Sequence, residues 1–193
     1  MRKMTEFTED LEKACMSAAK ILRTDVTSDD GDRAYREMRQ EADFVAETYH
    51  LLRSMNNKYQ AEDFFLEYIY PEKVKVWSNE RRLKPDLIYE GKDGDEVVEF
   101  KALWDGDIEG VSSKIISARK GIISKYMTKL LAYRKLPNKI VSLTLVFAYL
   151  GPENVDNGQH FSLNSFKDSI IDFIPDYGKF SKESKPELRV IVC

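Results

Sequence analysis

Residues 84–101 read Lys84-Pro85-Asp86-Leu87-Ile88-Tyr89-Glu90-Gly91-Lys92-Asp93-Gly94-Asp95-Glu96-Val97-Val98-Glu99-Phe100-Lys101. Two short apolar runs, Leu87–Tyr89 and Val97–Leu103, flank a Gly-Lys-Asp-Gly segment. Apolar runs joined by a short glycine-containing turn are typical of a β-hairpin. This stretch therefore predicts two antiparallel strands, and the rest of the chain can be read outward from them.

The predicted hairpin brings two carboxylates together. If Lys92 and Asp93 form the turn, Asp86 lies directly across from Glu99. Strand alternation then places Lys101 on the same face as Glu99, with the apolar residues between them on the other face. Facing carboxylates repel each other by roughly 0.2–1 kcal/mol. A divalent cation between them would remove that repulsion, so the pattern predicts a metal-dependent nuclease site.

Pro85-Asp86 followed by Glu99-Phe100-Lys101 resembles the motif of the PD-(D/E)xK nuclease superfamily. The resemblance implies an α/β (mixed α+β) protein whose core has the order αβββαβ around a small mixed sheet. It implies that Asp86 and Glu99 bind one or two Mn²⁺ or Mg²⁺ ions, with the carbonyl of Phe100 as a further ligand. It also implies that Lys101 positions or activates the attacking water.

The elements predicted from apolar periodicity follow the same order, framed by additional helices. The predicted helices are residues 5–22, 35–55, 60–70, 111–134 and 163–173; the predicted strands are residues 73–77, 85–90, 96–103, 140–150 and 188–192. A polar loop is predicted at Arg23–Arg33. We expect one endonuclease domain over residues 1–193, with a helical lobe at 1–70 and a sheet core with flanking helices at 71–193.

The composition is that of an ordinary globular protein, because 42% of the residues are hydrophobic and 33% are charged. No run of 18 apolar residues and no signal peptide is found, which predicts a cytoplasmic protein that is neither secreted nor attached to a membrane. Cys15 and Cys193 have no metal-ligand spacing, so free thiols are expected. Two cysteines also exclude an iron–sulfur cluster of the kind found in some members of the superfamily.

A basic segment follows the hairpin. From Gly110 to Pro152 there are eight Lys or Arg residues and no Asp or Glu. Clustered positive charge is the usual footprint of nucleic-acid binding. We expect Lys114, Lys120 and Lys125 to hold phosphates, whereas Tyr126 either stacks on a base or packs in the core.

A third acid is expected from a preceding helix, because two carboxylates rarely hold a nuclease metal alone. Glu47 is the first choice, since its spacing from Phe44 and Leu51 places it beside the buried face. The alternative is a surface glutamate paired with a neighbouring arginine. The competing helix ligands are His50, Glu62 and Asp63.

The helical lobe and the lysine-rich segment extend the resemblance to the cap-snatching endonuclease domain at the N-terminus of the polymerase of bunyavirus- and arenavirus-type segmented negative-strand RNA viruses. This implies RNA as the substrate, the host cytoplasm as the location and the rest of a viral polymerase as a partner. One departure is that His50 lacks the acidic residue that follows the histidine in the bunyavirus type. A cellular or phage DNA endonuclease of restriction or junction-resolving type, and a non-catalytic nucleic-acid-binding domain, remain as alternatives.

Overall fold

The computed structural model describes residues 6–26, 33–55, 58–76, 78–103, 125–136, 139–150 and 187–193. Its helices are α1 (Glu6–Val26), α2 (Arg33–Ser54) and α3 (described over residues 125–132), with short 3-10 turns at Ala61–Asp63 and Tyr133–Lys135. Its strands are β1 (Phe64–Leu66), β2 (Lys73–Val76), β3 (Asn79–Arg82), β4 (Leu87–Gly91), β5 (Gly94–Leu103), β6 (Ile140–Tyr149) and β7 (Glu187–Val192). The chain is thus a mixed α/β protein.

The main sheet has five strands in the order β1-β4-β5-β6-β7. Strands β1, β4 and β5 pair in antiparallel fashion, whereas β6 runs parallel to both β5 and β7. A separate hairpin joins β2 and β3. Strand β6 is buried over nearly its whole length, because elements of the fold cover it from both faces.

The predicted hairpin register is confirmed. Leu87 pairs with Val98 and Gly91 pairs with Gly94, which leaves Lys92 and Asp93 as the two-residue turn. Gly94 has φ of 135°, a conformation that favours glycine. A Cβ at Gly94 would also lie 2.3 Å from the carbonyl oxygen of Lys139. The turn sequence therefore sets the pairing that places Asp86 beside Glu99.

Two apolar clusters cover the two faces of the sheet. On one face, α1 and α2 pack on β5 and β6 through buried side chains that include Leu11, Phe44, Phe100 and Val146. On the other face, α3, its following 3-10 turn and the β2–β3 hairpin pack through residues that include Tyr70, Val76, Leu130, Tyr133 and Leu145. Since strand residues alternate between faces, Glu99 faces the α3 side and Phe100 faces the α2 side.

The predicted helix at residues 60–70 is wrong, because this segment forms a 3-10 turn followed by β1. Phe64 packs edge-on against Tyr49 at a centroid distance of 5.4 Å and also contacts Tyr59 and Tyr89. The free edge of β4 and this aromatic cluster favour an extended backbone over a helix. The predicted loop at Arg23–Arg33 begins too early, since α1 continues to Val26, and β3 was not predicted.

The other described elements agree with the predictions. Helices α1 and α2 and strands β2, β4, β5, β6 and β7 lie where apolar periodicity placed them. Cys15 and Cys193 are free, as expected, and the structure places both in the interior. Within the described ranges, no helix has both the length and the apolar content needed to cross a membrane. The predicted helix at 163–173, and the part of the 111–134 helix before residue 125, lie outside the described residues.

Candidate metal and nucleic-acid site

The carboxyl groups of Asp86 and Glu99 meet on the α3 face of the sheet. Asp86 immediately precedes β4, and its Oδ2 accepts a 2.7 Å hydrogen bond from the backbone N–H of Phe100. This bond fixes the Asp86 side chain against the neighbouring strand. The register that pairs Leu87 with Val98 places Asp86 across from Glu99, and each carboxyl acts on the pKa of the other. The hairpin therefore produces the facing carboxylates that its sequence predicts.

Glu99 is almost completely buried, with 1% of its surface exposed. Lys129 Nζ donates to Glu99 Oε2 at 2.6 Å, and Tyr133 Oη donates to Glu99 Oε1 at 2.6 Å. Lys129 of α3 and Tyr133 at the start of the following 3-10 turn are four residues apart, which places their side chains on the same side of this helical segment. Lys129 Nζ also donates to the carbonyl oxygen of Lys84 at 3.0 Å.

The pKa values of Asp86 and Glu99 are both raised. Burial and the neighbouring Asp86 raise the pKa of Glu99 to about 7, although Lys129 and Tyr133 act in the opposite direction. Burial raises the pKa of Asp86 as well, while the Phe100 N–H and the Lys129 ammonium oppose the increase. Desolvation together with a like charge is the environment in which carboxyl groups hold protons or bind cations.

Lys101 lies at the edge of the same site and is held by Glu41 of α2. Lys101 Nζ donates to Glu41 Oε2 at 2.7 Å, and the backbone N–H of Ala102 donates to the same oxygen at 3.1 Å. The position of α2 follows from Phe44, whose ring packs edge-on against Phe100 at 5.7 Å. Glu41 lies about one helical turn before Phe44, which brings it over Lys101.

A cleft of about 300 Å³ opens beside Asp86. The described residues of its lining include two acids, Glu67 and Asp86, and five cationic side chains: Arg81, Arg82, Lys84, Lys125 and Lys129. Tyr126 also lines it and lies 6.0 Å from Lys101 Nζ, measured to the ring centroid. Lys84 forms a 2.9 Å ion pair with Glu67, whose side chain is exposed. The described lining is therefore positively charged around Asp86, with Glu99 behind it.

The predicted helix ligands do not complete a metal-binding group with this pair in the described part of the chain. Glu47 follows Glu41 on α2 by six residues, so it lies about 9 Å further along the helix and about 120° around it. His50 and Glu62 are exposed, and Asp63 Oδ2 accepts the backbone N–H of Gln60 at 2.8 Å. Among the residues that the structure describes, no three His, Cys, Asp or Glu side chains are close enough to hold a metal ion.

The predicted phosphate ligands are only partly described. Lys125 is exposed and lines the cleft, and its role as a phosphate ligand stays a prediction. Lys114 and Lys120 lie outside the described residues. The backbone of Phe100 is adjacent to the site because its N–H contacts Asp86.

Three residues of the site were not predicted as such: Glu41, Lys129 and Tyr133. Their sequence signals are weak but present. Glu41 precedes the buried Phe44 by about one helical turn. Lys129 and Tyr133 are four residues apart, and Leu130, which follows Lys129, is buried. Without the contact between Phe44 and Phe100, the sequence does not distinguish Glu41 from Glu47.

Neither protein-family models, nor curated protein sequences, nor solved structures include a match to this chain. The class of the protein therefore rests on its fold and on the geometry of the site.

Proposed function

We propose that this chain is a divalent-metal-dependent endonuclease of the PD-(D/E)xK type that hydrolyses phosphodiester bonds, with RNA favoured as the substrate. The observation that carries the proposal is that the β4–β5 register places Asp86, which lines a cationic cleft, across from the buried Glu99 on the same face of the sheet. The antiparallel β4–β5 hairpin followed by the parallel strand β6 supports the αβββαβ core.

The groups around Asp86 suit a hard cation. Carboxylate and carbonyl oxygens are the ligands that Mg²⁺ and Mn²⁺ prefer. Asp86, Glu99 and the carbonyl of Phe100 would hold the ion, with Glu41 as the nearest helix acid. Each carboxylate oxygen has two lone pairs, so Glu99 can accept from Lys129 and Tyr133 and still face a cation. When bound, the ion would neutralise charge on the scissile phosphate and acidify the attacking water.

The remaining side chains of the site have separate roles in this proposal. Lys101 orients the attacking water or stabilises developing negative charge, and Glu41 holds its ammonium in place through the 2.7 Å contact. Lys129 stabilises the ionised form of Glu99. Lys84 and Lys125 contact the flanking phosphates, which positions the strand without reading its sequence.

Cap-snatching for viral transcription is the particular activity we propose. The support is the pair of helices α1 and α2 before the hairpin, the α2 acid at the site and the basic α3 segment. The proposed location is the host cytoplasm, and the proposed partner is the remainder of a viral polymerase. The DNA endonuclease of restriction or junction-resolving type differs from this proposal only in its substrate.

A second candidate is a nucleic-acid-binding domain without catalysis. It is favoured by the fact that Lys129 and Tyr133 already satisfy both oxygens of Glu99. In that case the ammonium of Lys129 takes the place of a metal ion, and the cationic cleft binds a strand without cutting it.

Cleavage of matched single-stranded RNA and DNA, each with Mn²⁺ and with a chelator, tests the proposal. We expect internal cleavage of RNA that requires Mn²⁺ and is faster than that of DNA. Faster cleavage of DNA would favour the restriction or junction-resolving alternative. Binding without cleavage of either strand would favour the second candidate.

A further inference from the structure

A second cavity, of about 200 Å³, lies on the same face of the sheet as Asp86 but near the turn end of the hairpin. Its lining residues are Phe65, Tyr68, Tyr70, Ile88, Glu90 and Asp95. Glu90 is four residues beyond Asp86 on an extended chain, which separates the two positions by about 13 Å. The cavity is therefore distinct from the cleft of the proposed nuclease site.

Aromatic rings form the walls of this cavity. The ring of Tyr68 lies 5.1 Å from that of Tyr70 at an interplanar angle of 88°, and 5.9 Å from that of Phe65 at 64°. Phe65 and Tyr68 are each 40% exposed, so a ligand can reach their rings from solvent. Rings set at steep angles to one another form a corner that presents π-faces to a compact cation.

The polar groups around the corner are unsatisfied or negatively charged. Tyr70 is 1% exposed, and its hydroxyl has no hydrogen-bond partner among the described residues. Burial and nearby acids, Asp95 and Glu72, raise the pKa of Tyr70, which keeps the hydroxyl neutral. The two acids of the lining, Glu90 and Asp95, add negative charge beside the rings, and this charge favours a cationic ligand.

We infer that this cavity binds a guanidinium group, with its plane against the aromatic corner and its N–H groups directed to the carboxylates of Glu90 and Asp95, which line the cavity. A guanidinium is planar, stacks on aromatic rings and carries five N–H donors, whereas a quaternary ammonium has none. The two carboxylates disfavour anions. Leu66 and Ile69 are 46% and 55% exposed, and they lie close in sequence to the aromatic residues of the cavity. They would offer apolar surface to the stem of an arginine.

Titration with arginine blocked at both ends, followed by tyrosine fluorescence and calorimetry, tests the inference, with tetramethylammonium as the cation that lacks donors. We expect saturable binding of blocked arginine and at least about fivefold weaker binding of tetramethylammonium. Equal binding of the two probes, or no binding of blocked arginine, would overturn the inference.

Four substitutions test the contacts. Tyr68→Ala and Glu90→Gln should each weaken the binding of blocked arginine by about fivefold or more, whereas Tyr68→Phe, which keeps the ring, should bind as the wild type does. Glu80→Gln alters an exposed acid of β3 outside the cavity and serves as the matched control. Thermal melts identify any variant that fails to fold. If Tyr68→Ala does not fold, Tyr68→Phe and Glu90→Gln, which change few atoms, still test the contacts. Unchanged affinity in folded Glu90→Gln would contradict the inference.

The source of the guanidinium is distinguished by comparing blocked arginine with a short peptide that contains one arginine. Much tighter binding of the peptide indicates an arginine side chain of a polypeptide partner, and equal binding indicates a free guanidino compound. Both results support a guanidinium site. Asp86→Asn should leave both affinities unchanged, so this test stands apart from the nuclease proposal.

Discussion

Two buried glutamates, three residues apart on β5, face opposite sides of the sheet and have different surroundings. On the α1 face, Glu96 is 5% exposed, and its Oε2 accepts hydrogen bonds from Ser142 Oγ at 2.7 Å and Thr8 Oγ1 at 3.3 Å. On the α3 face, Glu99 lies against the carboxyl of Asp86 and beside a cationic cleft.

The difference teaches how to separate a structural acid from a candidate functional one. Neutral hydroxyls around Glu96 satisfy the carboxylate and link β5 to β6 and α1. A second carboxylate beside Glu99 works against stability, because it raises the free energy of the ionised pair. Such an arrangement is expected where a cation or a proton transfer needs it. Glu96 is therefore the internal control for Glu99.

The largest effect is expected for the carboxylate pair. Asp86→Asn and Glu99→Gln should each reduce Mn²⁺-dependent RNA cleavage by about 10³-fold or more, because each removes a charged oxygen ligand at the scissile phosphate. Glu96→Gln should keep its rate within a few fold of the wild type. Single-turnover cleavage rates measure the difference. Wild-type cleavage by Asp86→Asn would contradict the nuclease proposal.

A smaller loss is expected for the lysine and the acid that holds it. Lys101→Ala and Glu41→Gln should each slow cleavage by about 10²-fold, since Lys101 acts on the attacking water and Glu41 positions it. Lys101→Ala should still show the thermal stabilisation that Mn²⁺ gives, because an ammonium is not a ligand. Glu47→Gln, on the same helix, is the matched control. If Glu47→Gln slowed cleavage as much as Glu41→Gln, Glu47 rather than Glu41 would be the α2 acid that acts at the site.

A smaller effect is expected on the affinity for RNA and on its salt dependence when the lysines of the cleft are replaced. Replacing Lys84 and Lys125 together by glutamine should weaken the binding of single-stranded RNA by about tenfold at low salt. It should also lower the salt slope by about 1.4, or about 0.7 for each phosphate that is no longer neutralised. Lys13→Gln removes an exposed lysine of α1 far from the cleft in sequence and is the control. Fluorescence anisotropy across a salt series measures the slope. An unchanged slope in the double variant would mean that the cleft does not bind the backbone.

The smallest effect concerns stability against pH in the absence of metal. The pKa of Glu99 is raised from an ordinary 4.5 to about 7, so the folded state binds more protons than the unfolded state between these values. Stability from this group is therefore present below about 4.5 and is lost as the pH rises through 7. Glu99→Gln should lack that loss, and Glu96→Gln should retain it. Thermal melts from about pH 4 to about pH 8 measure it; parallel curves for wild type and Glu99→Gln would contradict the raised pKa.

The hairpin could be predicted from the sequence because its determinants are local. Strand alternation and the two-residue turn Lys92-Asp93, which is followed by Gly94, are enough to place Asp86 beside Glu99. The long buried strand β6 was equally clear, since its burial on both faces leaves an uninterrupted apolar run.

The parts that failed depend on tertiary contacts. The segment Phe64–Leu66 could follow either a helix or a strand pattern, and the available edge of β4 decided between them. Glu41 and Glu47 each lie three residues from Phe44, so the sequence gives them equivalent positions beside this buried ring. Once Phe44 packs on Phe100, it is Glu41 that contacts Lys101. Both outcomes depend on which elements pack together in the folded chain, and the periodicity of apolar residues carries no information about that packing.

The most direct test of the central claim is calorimetric titration of Mn²⁺ at about pH 8 into the wild type, Asp86→Asn, Glu99→Gln and Glu96→Gln. At this pH Glu99 is ionised, so protonation does not compete with the metal. We predict saturable Mn²⁺ binding by the wild type and by Glu96→Gln, and its loss in both variants of the pair. Equal binding by the wild type and Asp86→Asn, or binding that depends on Glu96 rather than Glu99, would contradict the claim that the hairpin carboxylates form the metal site.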